Sequence, residues 1–135
     1  TAQLLCGGAN VTAIDISNVR IRRLKENLDR LGLKAELIHA DIKKWTTSRL
    51  FDFIFLDAPC SATGTIRRNP DVLIHKTYED VQKLSIVQME ILQKVSELVR
   101  PGGQLVYCTC SLQYEEGEAQ VDRFLSKNTG FRRIQ

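Results

Sequence analysis

Short apolar runs alternate with longer amphipathic segments along the chain, and each run ends at a polar residue or a turn. The apolar runs predict four strands, at residues 11–16, 35–39, 51–56 and 104–108. Apolar residues at helical spacing predict the tail of one helix and three whole helices, at residues 1–6, 18–31, 79–99 and 115–127. Strands that alternate with helices indicate an α/β fold with a doubly wound parallel sheet and helices on both of its faces.

Residues with special backbone preferences mark the boundaries of these elements. Ser17 is a good cap for the helix that follows it, and Gly32 ends that helix. Residues 101–103, Pro-Gly-Gly, are predicted to end the helix that begins near residue 79. Glu115, Glu116 and Glu118 suit the N-terminus of the last helix. Residues 58–78 form a connection of ~20 residues, which is long enough to indicate a functional loop or lid.

The strands at residues 51–56 and 104–108 are almost continuously apolar. Such runs are typical of strands that are buried on both faces of a parallel sheet. The carboxyl ends of these strands are where α/β proteins bind ligands. Chemistry is therefore expected at Asp57 and in the segment just beyond residue 108.

Composition adds limits on size and environment. The chain has 135 residues, 43% of them hydrophobic and 26% charged, which fits one domain of a soluble protein. No apolar stretch reaches the ~20 residues of a membrane helix. The net charge of +3 permits an anionic partner such as RNA. Four cysteines without a visible secretory signal predict reduced thiols and a cytoplasmic location.

Two of the cysteines lie directly after predicted strands. Cys60 follows the third strand in Asp57-Ala58-Pro59-Cys60, where Pro59 stiffens the exit from the strand. Cys110 follows the fourth strand in Thr109-Cys110-Ser111. A thiol at each of two strand ends suggests covalent catalysis with two sulfur roles. The alternative is that both are small buried residues.

A zinc site is a further alternative for the thiols. Cys60, Cys108, Cys110 and a histidine would supply four ligands, but the spacing of two cysteines two residues apart is poor for zinc without a second close pair. His39 and His75 have no assigned partner and are interpreted as structural or surface residues.

Polar residues beyond other strands are also candidates. Asp15 and Asp41 follow the first two strands, where a carboxylate either contacts a bound nucleotide or caps a turn. Arg67 and Arg68 lie in the long loop, where they either meet phosphates or are simply solvated. The basic run at residues 20–30 is interpreted as a solvated helix face.

These residues together form a recognisable pattern. Residues 57–64 (Asp-Ala-Pro-Cys-Ser-Ala-Thr-Gly), residues 66–71 (Ile-Arg-Arg-Asn-Pro-Asp) and residues 109–111 (Thr-Cys-Ser) resemble motifs of the RNA cytosine-C5 methyltransferases. Ala62, where many members have Gly, and residues 66–71 point to the bacterial branch that modifies small-subunit ribosomal RNA. The resemblance extends over essentially the whole chain.

The resemblance implies a Rossmann-like fold that uses S-adenosylmethionine (SAM) and a covalent mechanism. Cys110 would attack C6 of a cytosine in ribosomal RNA, so that C5 accepts the methyl group. Asp57 would hold and polarise the base, and Cys60 would help to release the methylated product. The attacking thiol must be available as thiolate, through a lowered pKa or a nearby base.

The resemblance also implies a cofactor site and partners. Asp15 would hold the SAM ribose and Asp41 its adenine side, with Arg20 and Asp57 among the cofactor contacts. Arg67 and Arg68 are candidates for RNA binding. The expected partner is ribosomal RNA, with no membrane or metal, and the intact parent is expected to be a monomer.

The chain departs from the family at its beginning. The family's first strand and Gly-rich SAM loop are expected immediately before Thr1, so residues 1–135 are interpreted as part of a catalytic domain from a longer protein. The sheet is then expected to be interrupted between the strand that ends at Asp15 and the strand that ends at Asp57. The fragment itself is expected to bind SAM weakly and to be inactive.

Three other functions remain open from the residues alone. The chain could belong to a SAM methyltransferase that acts on another substrate, with both cysteines incidental. It could be a non-catalytic binding or scaffold fragment. It could also be a zinc or redox module, which metal analysis would distinguish.

Overall fold

The computed structural model describes residues 1–134 and divides the chain into two compact units, one formed by Thr1–Thr47 and one beginning at Ser48. The first unit contains α1 (Ala2–Cys6), β1 (Thr12–Asp15), α2 (Asn18–Arg30) and β2 (Glu36–His39). The second contains β3 (Phe51–Asp57), α3 (Val72–His75), α4 (Tyr78–Ser96), β4 (Val99–Cys108) and α5 (Glu118–Lys127).

The first unit is a small β-α-β arrangement. Strands β1 and β2 pair in parallel, with Thr12 opposite Glu36 and Asp15 opposite His39. The Ser17 hydroxyl accepts a 3.4 Å hydrogen bond from the backbone N–H of Arg20 at the start of α2. Gly32, just beyond α2, has a φ of 66°, a conformation that glycine adopts without a steric penalty. The predicted strands and helix are present here within a residue or two.

The second unit pairs β3 with β4 in parallel, and α4 connects them. Asp57 lies opposite Cys108 at the end of this ladder, so both strands end at the same edge of the sheet. The start of α4 is fixed by a capping box in which Thr77 and Asp80 exchange hydrogen bonds. The segments that carry Cys60 and Cys110 therefore leave the sheet side by side.

The four strands form two separate two-stranded sheets, β1 with β2 and β3 with β4. Residues 1–10 supply the helix α1 and not a strand. The expected interruption between the strand that ends at Asp15 and the strand that ends at Asp57 is confirmed.

The Pro-Gly-Gly segment differs from the prediction. Helix α4 ends at Ser96, and residues 101–103 lie inside β4, which begins at Val99. The register of β3 against β4 shifts between Phe51 and Phe53, which marks a bulge. Gly102 has a φ of 78°, and a Cβ on Gly103 would lie 2.9 Å from the carbonyl oxygen of Asp52. Gly102 and Gly103 accommodate this shift in register, and both lie beyond the end of the helix.

Burial of β3 and β4 also differs from the prediction. Their inner face packs on a core of Met89, Leu92 and Phe124 from α4 and α5. The other face exposes Phe53, Phe55 and Val106, which are 40%, 53% and 37% exposed. An apolar run shows that a strand is suited to burial on both faces, but burial requires a neighbouring layer on each face.

The last helix begins later than predicted. Tyr114–Glu116 form a 3-10 turn, and α5 starts at Glu118. The long connection after β3 is partly ordered by a 3-10 turn at Thr63–Thr65 and by α3. None of the described helices has the length and apolar character needed to cross a membrane.

Candidate active site

The two loops that follow β3 and β4 bring two thiols together. The Sγ atoms of Cys60 and Cys110 lie 3.4 Å apart, within hydrogen-bond distance for sulfur. Cys110 is exposed and Cys60 is half-buried. Parallel pairing of β3 with β4 explains this proximity, because it delivers both loops to one edge.

Backbone hydrogen bonds fix the two loops against each other. The N–H of Ala58 donates to the carbonyl oxygen of Cys108 at 2.9 Å, which extends the ladder one step beyond β3. The N–H of Gly64 donates to the carbonyl oxygen of Cys110, also at 2.9 Å. The first loop thus contacts the second just before and just after Cys60.

Gly64 is required for this close approach. A Cβ added to Gly64 would lie 2.8 Å from the carbonyl oxygen of Cys110, a distance at which the backbone must shift. We expect Gly64→Ala to lower the free energy of unfolding by about 1–3 kcal/mol, the usual cost of overpacking. Chemical denaturation measures the change.

The matched control is Gly130→Ala, since a Cβ there would meet nothing within 4 Å. A Gly64→Ala protein that is as stable as the Gly130→Ala protein would contradict the close contact between the loops.

Ala62 adopts an unusual backbone conformation between Cys60 and Gly64. Its φ is 60° and its ψ is 24°, in the left-handed region. This conformation costs an L-residue roughly 1–2 kcal/mol and costs glycine little. The structure thus explains why glycine suits this position in the family that the sequence resembles.

A buried layer of polar side chains lies beneath the thiols. Each cysteine is followed by a serine, and the hydroxyls of Ser61 and Ser111 lie 3.1 Å apart. Ser61 is completely buried, and its backbone N–H donates to a carboxylate oxygen of Glu116 at 2.9 Å. The Ser61 hydroxyl donates to the other oxygen of Glu116.

Two glutamines and a tyrosine extend this layer into the core. The amide nitrogen of Gln88 donates to Glu116 at 2.9 Å and to the carbonyl oxygen of Pro59 at 2.8 Å. Gln120 donates to the side-chain oxygen of Gln88 at 3.1 Å. The Tyr107 hydroxyl lies 2.8 Å from the carbonyl oxygen of Glu116, and burial together with the Glu116 charge raises the Tyr107 pKa.

The roles of Glu116, Gln88, Gln120 and Tyr107 in this layer were not predicted from the sequence. Glu116 was predicted at the N-terminus of the last helix, whereas it is fully buried in the 3-10 turn before α5. A signal was present, because a glutamine at position 88 interrupts the apolar face of α4, and buried polar side chains require partners.

The surroundings of Cys110 do not favour its thiolate. The hydrogen bond with Cys60 raises the pKa of the Cys110 thiol, and partial burial and the Asp57 charge act in the same direction. Of the two routes expected for the nucleophile, a lowered pKa is absent in this state. If Cys110 is the nucleophile, the remaining route is a base that takes the thiol proton.

This pKa shift predicts a pH effect. Removing Cys60 removes the largest cause of the raised value, so we expect Cys60→Ala to move the alkylation of Cys110 by iodoacetamide to lower pH. Mass spectrometry of the Cys110 peptide over a pH series measures the inflection. Ser96→Ala, at the last residue of α4, serves as control. If Cys60→Ala leaves the inflection unmoved, Cys60 is not the main cause of the raised Cys110 pKa.

The structure also locates the other residues of the second unit that the sequence singled out. Asp57 ends β3 and is exposed, and its charge contributes to the raised Cys110 pKa. Arg67 and Arg68 are exposed just beyond the 3-10 turn at Thr63–Thr65. Cys108 is half-buried in the last position of β4, and His75 is exposed at the end of α3.

The first unit holds the carboxylates predicted to bind the cofactor. The guanidinium of Arg20 donates to both oxygens of Asp15, at 2.7 and 2.8 Å, and holds the Asp15 pKa below its usual value. The N–H of Ser17 also donates to Asp15, at 2.7 Å. This pair lies at the carboxyl end of β1. Arg20 was interpreted as part of a solvated helix face, but it forms a specific ion pair with Asp15.

Asp41 and His39 follow at the end of β2. A side-chain oxygen of Asp41 accepts from the N–H of Lys43 at 3.0 Å, so Asp41 stabilises a turn. The Nε2 atom of His39 lies 3.0 Å from the carbonyl oxygen of Ile16. Within residues 1–134, no group of three or more His, Cys, Asp or Glu side chains is placed to hold a metal ion.

Parallel α/β elements with two thiols at the strand ends are the arrangement that the resemblance to SAM-dependent methyltransferases predicts. The family model described as 16S rRNA methyltransferase RsmB/F matches residues 1–135, and the chain belongs to this family. The family is SAM-dependent, so the expected cofactor class is confirmed.

Curated relatives support the same assignment. The chain is 44% identical over 118 residues to ribosomal RNA small subunit methyltransferase B of Shewanella oneidensis, covering 85% of this chain and 28% of the relative. It is 45% identical over 122 residues to the protein of the same name from Klebsiella pneumoniae, covering 88% of this chain and 28% of the relative. The resemblance to the bacterial small-subunit branch is confirmed.

Solved structures agree in fold. The NSun6 structure from Pyrococcus horikoshii, which contains the SAM analogue SFG, matches with a TM-score of 0.84 and 36% identity, over 94% of this chain and 33% of that one. A methyltransferase homologue from the same organism matches with a TM-score of 0.73 and 37% identity, over 87% of this chain and 37% of that one. The Rossmann-like fold is confirmed.

Proposed function

We propose that the protein to which this chain belongs transfers a methyl group from SAM to C5 of a cytosine in ribosomal RNA, through a covalent adduct with Cys110. The observation that carries the proposal is the 3.4 Å separation between the Cys60 and Cys110 sulfur atoms at the carboxyl edge of the β3–β4 sheet. Two thiols at one edge supply a nucleophile and a second sulfur for release.

Exposure supports the division of roles. Cys110 is exposed and available to a cytosine that has left its base stack, whereas Cys60 is half-buried beside it. The Cys110 sulfur would add to C6, and the added electron density would make C5 nucleophilic enough to take the methyl group. Loss of the C5 proton and cleavage of the C6–S bond would then restore the aromatic ring.

The neighbouring groups fit the remaining steps. Asp57 is exposed at the same edge and would hold the base and polarise its ring. Cys60 would assist release of the product. Because the Cys110 pKa is raised, this mechanism would require a base to accept the thiol proton.

Residues at or beyond the ends of β1 and β2 are the proposed cofactor contacts, and two arginines in the loop after Cys60 are the proposed RNA contacts. Asp15 would bind the SAM ribose, with Arg20 holding its carboxylate in place, and Asp41 would lie beside the adenine. Arg67 and Arg68 are exposed on the loop after Cys60 and would contact RNA phosphates.

Analysis of the product tests this function. The full-length protein is incubated with undermethylated small-subunit ribosomal RNA and SAM that carries a deuterated methyl group. Nucleoside digestion and mass spectrometry should find the label in 5-methylcytidine. Label in another nucleoside would favour a methyltransferase of different specificity, and absence of label from the RNA would refute the proposal.

A further inference from the structure

We infer that Glu116 is a positioning residue for the two thiols, a role that nothing in the Thr-Cys and Pro-Cys motifs reveals. The part of this inference that concerns catalysis rests on the proposed function. Its geometric part, that Glu116 sets how the Cys60 and Cys110 loops face each other, stands on the hydrogen bonds of the buried layer.

Glu116 is the centre of that layer. Both of its carboxylate oxygens accept hydrogen bonds from Ser61, one from the backbone N–H and one from the hydroxyl. Gln88 supplies a third donor to the carboxylate. A buried carboxylate that retains three donors stabilises the backbone of the residue next to Cys60.

The same layer reaches the second loop through hydroxyl groups. Ser61 meets Ser111 at 3.1 Å, and Ser111 meets the Thr63 hydroxyl at 3.1 Å. Thr63 in turn accepts from the N–H of Leu112 at 3.0 Å. Glu116 is therefore joined by hydrogen bonds to the residues immediately after both cysteines.

The position of Glu116 has no simpler explanation as a helix-capping acid. Acidic residues at a helix N-terminus are normally exposed, whereas Glu116 is 0% exposed. Its side chain contacts Ser61 and Gln88, which come from different parts of the chain. Burying a carboxylate is costly, so its retention here indicates a requirement for fixed geometry.

A readout that does not depend on methylation tests the geometry. Diamide oxidises two adjacent thiols to a disulfide, and the rate of the Cys60–Cys110 bond in the folded full-length protein reports how well the sulfurs face each other. We expect Glu116→Gln and Ser61→Ala to slow this rate at least about tenfold, since misplacement by about 1 Å can cost as much as ~100-fold.

Glu118→Gln is the matched control, because Glu118 is exposed two residues further along the chain. It should leave the rate unchanged. Ser61→Ala removes only a hydroxyl and retains the backbone bond to Glu116, so it tests the inference if Glu116→Gln fails to fold. Thermal unfolding and SAM binding are measured alongside to confirm that each variant is folded.

The outcomes separate this inference from the proposed function. A slower disulfide together with a lower kcat and an unchanged KM for RNA supports positioning in catalysis. A slower disulfide with unchanged methylation supports the geometric role and counts against catalysis by these thiols. A folded variant with the disulfide rate of Glu118→Gln would overturn the inference, whatever its methylation activity.

Discussion

Replacing Cys110 by alanine in the full-length protein is expected to abolish methylation and to prevent any covalent complex with RNA. Removal of a catalytic nucleophile typically lowers kcat by about 10⁴-fold or more. Cys110 is the exposed thiol of the pair, and no other described thiol at this edge has comparable access to a substrate. Transfer of labelled methyl groups to ribosomal RNA measures the loss.

The control for this substitution is Cys108→Ala. Cys108 lies two residues earlier, is half-buried in β4, and has no role in the proposed chemistry. Its variant should retain activity. A Cys110→Ala protein that still forms a covalent complex would assign the attack to Cys60, and one that methylates normally would rule out covalent catalysis by Cys110.

Replacing Cys60 by alanine is expected to have a different effect. Attack by the Cys110 sulfur does not require the Cys60 sulfur, so the adduct should still form, but release should be slow. A general acid or base contributes about 10²–10⁴-fold to such a step. A protein–RNA complex that survives denaturing electrophoresis should therefore accumulate while turnover falls.

A double variant with both Cys60→Ala and Cys110→Ala shows which sulfur carries the covalent bond to RNA. It should form no complex, because the adduct requires the Cys110 sulfur. Digestion with ribonuclease should return the Cys60→Ala complex to the mobility of the free protein. A Cys60→Ala protein that turns over normally without accumulating adduct would show that release needs no second sulfur.

The sequence was sufficient to place the thiols because their position depends on local patterns. Apolar runs predicted β3 and β4, and parallel pairing then required their carboxyl ends to lie at one edge. The observed proximity of Cys60 and Cys110 follows from that topology.

The sequence was not sufficient where tertiary contacts decide the structure. Residues 101–103 have the composition of a helix terminus, but their glycines allow β4 to bulge against β3. Phe53 and Phe55 suit a strand with two covered faces, yet they are exposed here. Glu116 looks like a helix-capping acid until the fold brings Ser61 to it.

Each thiol is directly followed by a serine, Cys60 by Ser61 and Cys110 by Ser111. This arrangement affects how tolerance to substitution should be interpreted in this protein. The thiol pair and the hydrogen-bonded serine pair are adjacent in both loops, so a survey of all single substitutions would find intolerant positions in clusters. Such clusters would include residues that never touch a substrate. Intolerance at Ser61 or Ser111 therefore measures the precision of the scaffold, and only chemical trapping identifies which positions take part in bond making.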